Sequence, residues 1–78
     1  MTTYSNPYVQ QIFALLTPLV GEFMAKGIIK SQVQKLGKTE EDLTKSDLPR
    51  LADDIRKGLV AFIGSDLAAK VADKIKSF

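Results

Sequence analysis

The residues best suited to chemistry in this chain are the adjacent carboxylates Asp53 and Asp54, with Arg50 and Arg56 close by. Paired carboxylates can act as a general acid and base, or hold a magnesium ion, when they converge in a cleft. On a helix, neighbouring side chains instead point about 100° apart. Residues at i, i+4 do meet, so we expect exposed ion pairs rather than a site. These pairs join Arg50 to Asp54 and Asp53 to Lys57.

No cysteine or histidine occurs among the 78 residues. This excludes a thiol nucleophile, an imidazole base and a zinc site built on these ligands, so hydroxyl groups lack their usual activating partner. A glycine-rich phosphate-binding loop is also missing from the sequence. We interpret Thr17, Ser46 and Ser65 as helix caps. The sequence therefore predicts a protein that is not an enzyme and that uses no metal or cofactor.

Basic residues suggest an alternative function. Lys26, Lys30, Lys35 and Lys38 follow one another along the chain and could contact the phosphates of a nucleic acid. However, eleven Lys and Arg residues are interleaved with nine Asp and Glu residues, which leaves a net charge of only +2. A weak, sequence-nonspecific nucleic-acid-binding protein is therefore the second hypothesis, and nucleic acid is the less favoured partner.

The structural signals in the sequence are helical, with neither strand alternation nor a hairpin turn. We predict an all-α fold in a single domain over residues 1–78, made of one long helix and two shorter ones. The first short helix begins at Ser46 or Asp47 and ends at Gly64, and the second covers about 66–77. The two should form a corner or hairpin that packs on the long helix. No internal repeat is evident.

The long helix is predicted to cover about 7–36. Asn6 followed by proline is typical of a helix start, and Gly37 is typical of a helix end. Pro18 removes one backbone hydrogen bond, so the helix is either kinked near this residue or broken there. Its apolar residues form two adjoining stripes, which is more than burial on one side requires.

A resemblance lies in the second half of the chain, over residues 46–75. This stretch reads SDLPRLADDIRKGLVAFIGSDLAAKVADKI, with Asp-Leu-Pro at a helix start, Phe-Ile-Gly at a helix end, and then alanines with aliphatic residues. It resembles a short two-helix segment found in small bacterial and archaeal proteins and beside signalling modules. The resemblance covers less than half of the chain. It implies a regulatory or scaffolding role and brings no catalytic residue.

The length of the first helix predicts self-association. A 30-residue helix spans about 45 Å, whereas a compact domain of this size is about 30 Å across. The helix would overhang its own domain and leave apolar stripes in water, which a second copy would cover. We therefore expect a helical bundle completed by oligomerisation, most simply a homodimer. Its expected interface consists of Ile12, Leu15, Leu16, Leu19, Val20 and Phe23. Alternatively, the two shorter helices cover these residues within one chain.

These features favour a non-enzymatic helical protein–protein interaction or oligomerisation module with an unknown protein partner. A small-molecule pocket between the helices, lined by Phe13, Phe23, Met24 and Phe62, is a third class of function that the sequence leaves open.

The longest apolar run, residues 12–20, is too short to span a membrane, and the N-terminus lacks the basic start of a signal peptide. We expect a cytoplasmic protein.

Overall fold

Four α-helices make up the fold of residues 4–78, which is the part of the chain that the computed structural model describes. A single turn of 3₁₀ helix precedes the third α-helix, and no strand occurs in this range. The helices are α1 (Pro7–Val20), α2 (Glu22–Lys35), α3 (Leu48–Ile63) and α4 (Ser65–Lys76), and the 3₁₀ turn is Lys45–Asp47. The all-α prediction is confirmed. Residues 1–3 of the predicted domain lie outside the described range.

The predicted long helix is two helices, because the chain turns at Gly21. This residue has φ 88° and ψ 161°, a region that is essentially restricted to glycine. α1 continues through Pro18 and ends at Val20. The prediction of a continuous helix over 7–36 is therefore wrong, and so is the alternative of a break at Pro18. Thr17 does not cap a new helix, since its hydroxyl donates to the carbonyl of Phe13 (2.7 Å).

Backbone hydrogen bonding continues across the turn at Gly21. Its N–H donates to the Thr17 carbonyl (2.9 Å), and its carbonyl accepts from the Ala25 N–H (2.9 Å). The turn thereby uses groups that helix ends otherwise leave without partners. The chain folds back far enough for Lys30 to line the same cleft as Ser5. A straight helix would separate these two positions by about 37 Å.

A second turn of the same geometry joins α3 to α4 at Gly64. Its φ and ψ are 86° and 162°, its N–H donates to the Val60 carbonyl (3.0 Å), and its carbonyl accepts from the Ala68 N–H (3.1 Å). Buried residues recur at equal sequence distances from the two glycines. The matching pairs are Val9 with Ala52, Ile12 with Ile55, Leu16 with Leu59, Ala25 with Ala68, and Ile29 with Ala72. The chain thus contains two helix–glycine–helix units, a repeat that the sequence analysis missed because few positions keep the same residue type.

One core lies between the two units. α3 packs most extensively on α4, α1 packs on α2, and α2 joins the units by packing on α3. Ile12 and Leu16, two residues of the expected dimer interface, are both fully buried by their own chain. The longest extent of the Cα trace is 29 Å, which leaves no room for a helix of about 45 Å. The overhang that predicted self-association is therefore not found in residues 4–78.

The connector between α2 and α3 is tied to the start of α1 by Asn6. As predicted, Asn6 caps α1, and its side-chain oxygen accepts from the Tyr8 N–H (2.9 Å). Its Nδ2 donates to the carbonyl of Leu43 (2.7 Å), a connector residue whose side chain is buried in the core. Gly37, with φ 72°, ends α2 as predicted. One buried amide therefore fixes both a helix start and the path of the connector.

The end of the connector is held by Asp47. Its Oδ2 accepts from Lys38 Nζ (2.7 Å) and from the backbone N–H of Thr44 (2.9 Å). These two hydrogen bonds, the first being the stronger cause, lower the pKa of Asp47 from 3.8 to about 2. The prediction that Ser46 is a helix cap is wrong: it lies inside the 3₁₀ turn, bonds the Thr44 hydroxyl (2.9 Å), and is followed by Asp47 at the cap position of α3. The prediction that Ser65 is a cap is wrong, because Gly64 occupies that position.

Replacing Gly21 with alanine should lower the free energy of unfolding by about 1–3 kcal/mol, because a Cβ is strained in this backbone region. Gly27 is the matched control. It lies inside α2 without a positive φ, and no atom is within 4 Å of the place that a Cβ would take. Gly27→Ala should therefore stabilise the protein by roughly 0.5–1 kcal/mol. Urea unfolding measures both variants, and equal effects would contradict the role given to Gly21.

Acid titration tests the bond between Lys38 and Asp47. Folding lowers the pKa of Asp47, so the ionised carboxylate stabilises the folded state. This stabilisation is fully present above pH 3.8 and is lost as the pH falls through about 2. The free energies of unfolding of the wild type and of Asp47→Asn should differ at about pH 6 and converge below about pH 2. Asp42→Asn, at an exposed connector position, controls for the loss of one negative charge. A gap between wild type and Asp47→Asn that does not change with pH would show that the ion pair does not stabilise the fold.

Candidate functional site

The strongly exposed large hydrophobic residues of the described chain lie within four residues of Gly21 or Gly64. Phe23 is the most exposed of these residues, at 91%, and Phe62 follows at 58%. We call this set the corner surface. It consists of Phe23, Met24, Val60, Phe62 and Leu67.

An apolar groove of about 320 Å³ between α1 and α4 connects the two corners. Leu19, which lies just before Gly21, and Leu67, which lies just after Gly64, both line it. The end of α1 and the start of α4 therefore border the same groove. We call this feature the α1–α4 groove. Its lining residues are Leu15, Pro18, Leu19, Leu67, Lys70, Val71 and Lys74.

Only part of the interface expected from the sequence is accessible. Ile12 and Leu16 are fully covered by their own chain, which leaves them no surface for a second copy. Leu15 and Leu19 are half-buried and line the α1–α4 groove. Phe23 belongs to the corner surface, and Val20 is half-buried against the core. The accessible residues thus lie at the end of α1 and the start of α2.

The lysines of the nucleic-acid hypothesis are not arranged as one positive track. Lys26 and Lys30 line a cleft of about 570 Å³ together with Glu40 and Glu41. Lys26 also lies 4.0 Å from Glu22. These carboxylates oppose the approach of phosphates to the two lysines.

The other two lysines of that hypothesis are separated from this cleft. Lys38 is bound to Asp47 in the connector, at 2.7 Å. Lys35 is exposed in the last turn of α2. Tyr4 lines the cleft. Burial raises the pKa of its phenol, and the negative charge of Glu40 raises it further.

The acidic pair on α3 has a structural contact. Asp53 Oδ1 lies 3.1 Å from Lys76 Nζ, which ties α3 to the last turn of α4. The expected pairs of Arg50 with Asp54 and of Asp53 with Lys57 are not formed among the described residues. Within residues 4–78, no three His, Cys, Asp or Glu side chains come together in a way that could hold a metal ion.

The aromatic residues proposed for a small-molecule pocket are dispersed. Phe13 is buried and makes an edge-to-face contact with Tyr4, with ring centroids 5.4 Å apart. Phe23, Met24 and Phe62 are exposed instead. These four residues therefore do not enclose a pocket.

In the part of the chain that the structure describes, no helix has the length and apolar character needed to cross a membrane. Comparison of the chain with family models, curated proteins and solved structures finds no match. The corner surface and the α1–α4 groove are therefore described from the positions and chemistry of their own residues. The resemblance of residues 46–75 to a two-helix segment stays a prediction.

Sequence reasoning missed the contribution of α4 to the groove. The interface expected from the sequence lies on the first predicted helix alone, so it includes neither Leu67 nor Val71. One available signal was the matching context of the two glycines, since Gly21 and Gly64 each follow a β-branched residue at the end of an apolar stripe. Gly64 was predicted as a helix end, and the same interpretation of Gly21 would have given the correct end of α1.

Phe23→Ser should change the free energy of unfolding by no more than about 0.5 kcal/mol, because this side chain is almost entirely in water. Phe62→Ser should have a somewhat larger effect, since 58% of the residue is exposed. Leu16→Ala is the buried control and should cost about 2–5 kcal/mol. A large loss of stability in Phe23→Ser, measured by urea unfolding, would show that Phe23 is covered.

Proposed function

We propose that the chain is a non-enzymatic helical protein–protein interaction module, and that it docks through the corner surface and the adjoining α1–α4 groove. The observation that carries this proposal is the concentration of exposed apolar residues at the two glycine turns. A concentration of exposed large apolar side chains on a small protein is typical of an interaction site. A regulatory or scaffolding role would use such a surface in the same way.

The chemistry of the groove favours binding over catalysis. Its lining is apolar except for Lys70 and Lys74, and it includes no carboxylate or hydroxyl side chain. An apolar surface with a charged rim is the usual composition of a protein interface, where the apolar part supplies affinity and the rim supplies orientation.

Self-association is one form that this function can take. The long overhanging helix that predicted a homodimer is not present in residues 4–78. Ile12 and Leu16 are buried and leave no surface for a second copy. A dimer would have to form through residues such as Phe23, Leu19 and Leu67 instead. The experiment below separates a second copy from a different protein by the mass of the product.

Site-specific photocrosslinking tests the docking surface. A benzoylphenylalanine residue replaces Phe23 or Leu67, and in the control it replaces Gln34, an exposed residue in the last turn of α2. In extracts of the source cells, the labels at the corners should give a discrete crosslinked product, whereas the label at the control position should not. A product with the mass of two chains would identify a second copy as the partner.

Competition shows whether the crosslink is specific. Excess unlabelled wild type should suppress the product, because it occupies the partner. The double variant Phe23→Ser, Phe62→Ser keeps the buried core but lacks the two most exposed aromatic rings, so it should compete poorly. Equal crosslinking at positions 23 and 34, or equal competition by the two proteins, would contradict docking through the corner surface.

A further inference from the structure

The α1–α4 groove has a one-sided charge. Its charged lining residues are Lys70 and Lys74, which lie one turn apart on α4, and no acidic residue lines it. Within residues 4–78 neither lysine is ion-paired, although Asp66 lies one turn before Lys70. Two unpaired cations therefore border an apolar floor. This arrangement favours a partner that brings apolar and anionic groups together.

The groove also has the spacing of a helix. On its floor, Leu15 and Leu19 are one turn apart on α1, and Leu67 and Val71 are one turn apart on α4. The two lysines at the rim share the same separation. Side chains at i, i+4 form ridges between which a further helix can place its own side chains at the same interval. A helix in such a groove is recognised by anchors at i, i+3, i+4 and i+7.

We propose that the partner inserts an acidic amphipathic helix into the α1–α4 groove. Its apolar stripe packs on Leu15, Leu19 and Leu67, above the buried Val71. Its carboxylates, spaced by one turn, pair with Lys70 and Lys74. This inference rests on the proposed function and specifies the chemistry of the partner.

A second copy of the chain fits the groove less well. Among its own exposed apolar residues, Phe23 has one adjacent acid, Glu22, and Leu67 has one, Asp66. Neither helix start offers two acids one turn apart beside an apolar stripe. The chain also carries a net charge of +2, so two copies repel each other weakly at a face that is itself positive. Charge complementarity therefore selects a different, acidic partner.

Fluorescence anisotropy with designed peptides tests the proposal on the full chain. The probe is a labelled helical peptide of about 18 residues, or five turns, with a leucine stripe flanked by glutamates and alanine elsewhere. A second peptide has lysine in place of every glutamate. The acidic peptide should bind saturably, with an affinity that falls as salt is added, and the basic peptide should bind at least about tenfold more weakly.

Charge reversal in the protein supplies the matched variants. The double variant Lys70→Glu, Lys74→Glu should bind the acidic peptide at least about tenfold more weakly than the wild type, and should gain affinity for the basic peptide. Lys30→Glu, Lys57→Glu changes the net charge equally at exposed positions outside the groove. This control should bind the acidic peptide almost as the wild type does. Circular dichroism confirms that each variant is folded.

Several results would overturn the proposal. These are equal binding of both peptides to the wild type, or equal loss of binding in the two charge-reversal variants. Another is that the wild type binds vesicles of phosphatidylcholine and phosphatidylglycerol through Lys70 and Lys74 while the acidic peptide does not bind. That last result would mean that the groove recognises an anionic lipid surface.

The failure of this inference differs from the failure of the proposed function. If corner-specific crosslinking is found but the acidic peptide does not bind, docking stands and the chemistry assigned to the partner is wrong. If crosslinking is the same at positions 23 and 34, the proposed function fails whatever the peptides do.

Discussion

Two glycines in a backbone region closed to L side chains determine the architecture of this protein. At Gly21 and Gly64 the φ angles are 88° and 86°. The N–H of each glycine donates to the preceding helix, and its carbonyl accepts from the following helix. Each turn lets a short helix fold against its neighbour. α1 and α2 have 14 residues each, a length that is only marginally helical in water by itself. Packing across the turns, rather than the propensity of any one helix, therefore stabilises the fold.

The same turns produce both the core and the candidate site. Within each unit the inward stripes meet and are buried, while the residues that flank the glycine are left outside. The seam between the units is more polar, since Gln32 is buried there beside Gly58 and its Oε1 has no hydrogen-bond partner in residues 4–78. The position that corresponds to Gln32 in the second unit is Ile75, which is fully buried. A buried polar residue of the first unit therefore corresponds to a buried apolar residue of the second unit at this position.

Local signals in the sequence predicted the helical class and several helix ends. Asn6 and Gly37 act through their own side chain or backbone and were placed correctly. Gly21 was not, because a glycine inside an apolar periodic segment is compatible with a helix at a cost of about 1 kcal/mol. Whether it turns the chain depends on what the two helix faces pack against, which is a tertiary property. The error extended to Ile12 and Leu16, which were expected at an interface and are fully buried by their own chain.

The α1–α4 groove shows the same limit. Its two walls come from opposite ends of the sequence, and the lysines on α4 have the pattern of an ordinary solvent-facing side. Their relation to Leu15 and Leu19 arises only when the two turns bring the first and last helices together. The chemistry of each residue was readable from the sequence, but their juxtaposition was not.

The central claim is that positive φ at Gly21 and Gly64, rather than the small size of glycine, builds the fold. Chemical synthesis of the chain with D-alanine at both positions, compared with L-alanine at both, tests it directly, because the two products differ only in the handedness of two methyl groups. The account predicts that the D-alanine protein unfolds with a free energy equal to or above that of the wild type, since D-residues favour positive φ and have less backbone freedom when unfolded. The L-alanine protein should be less stable by several kcal/mol, about 1–3 at each turn. Equal stability of the two proteins would contradict the account.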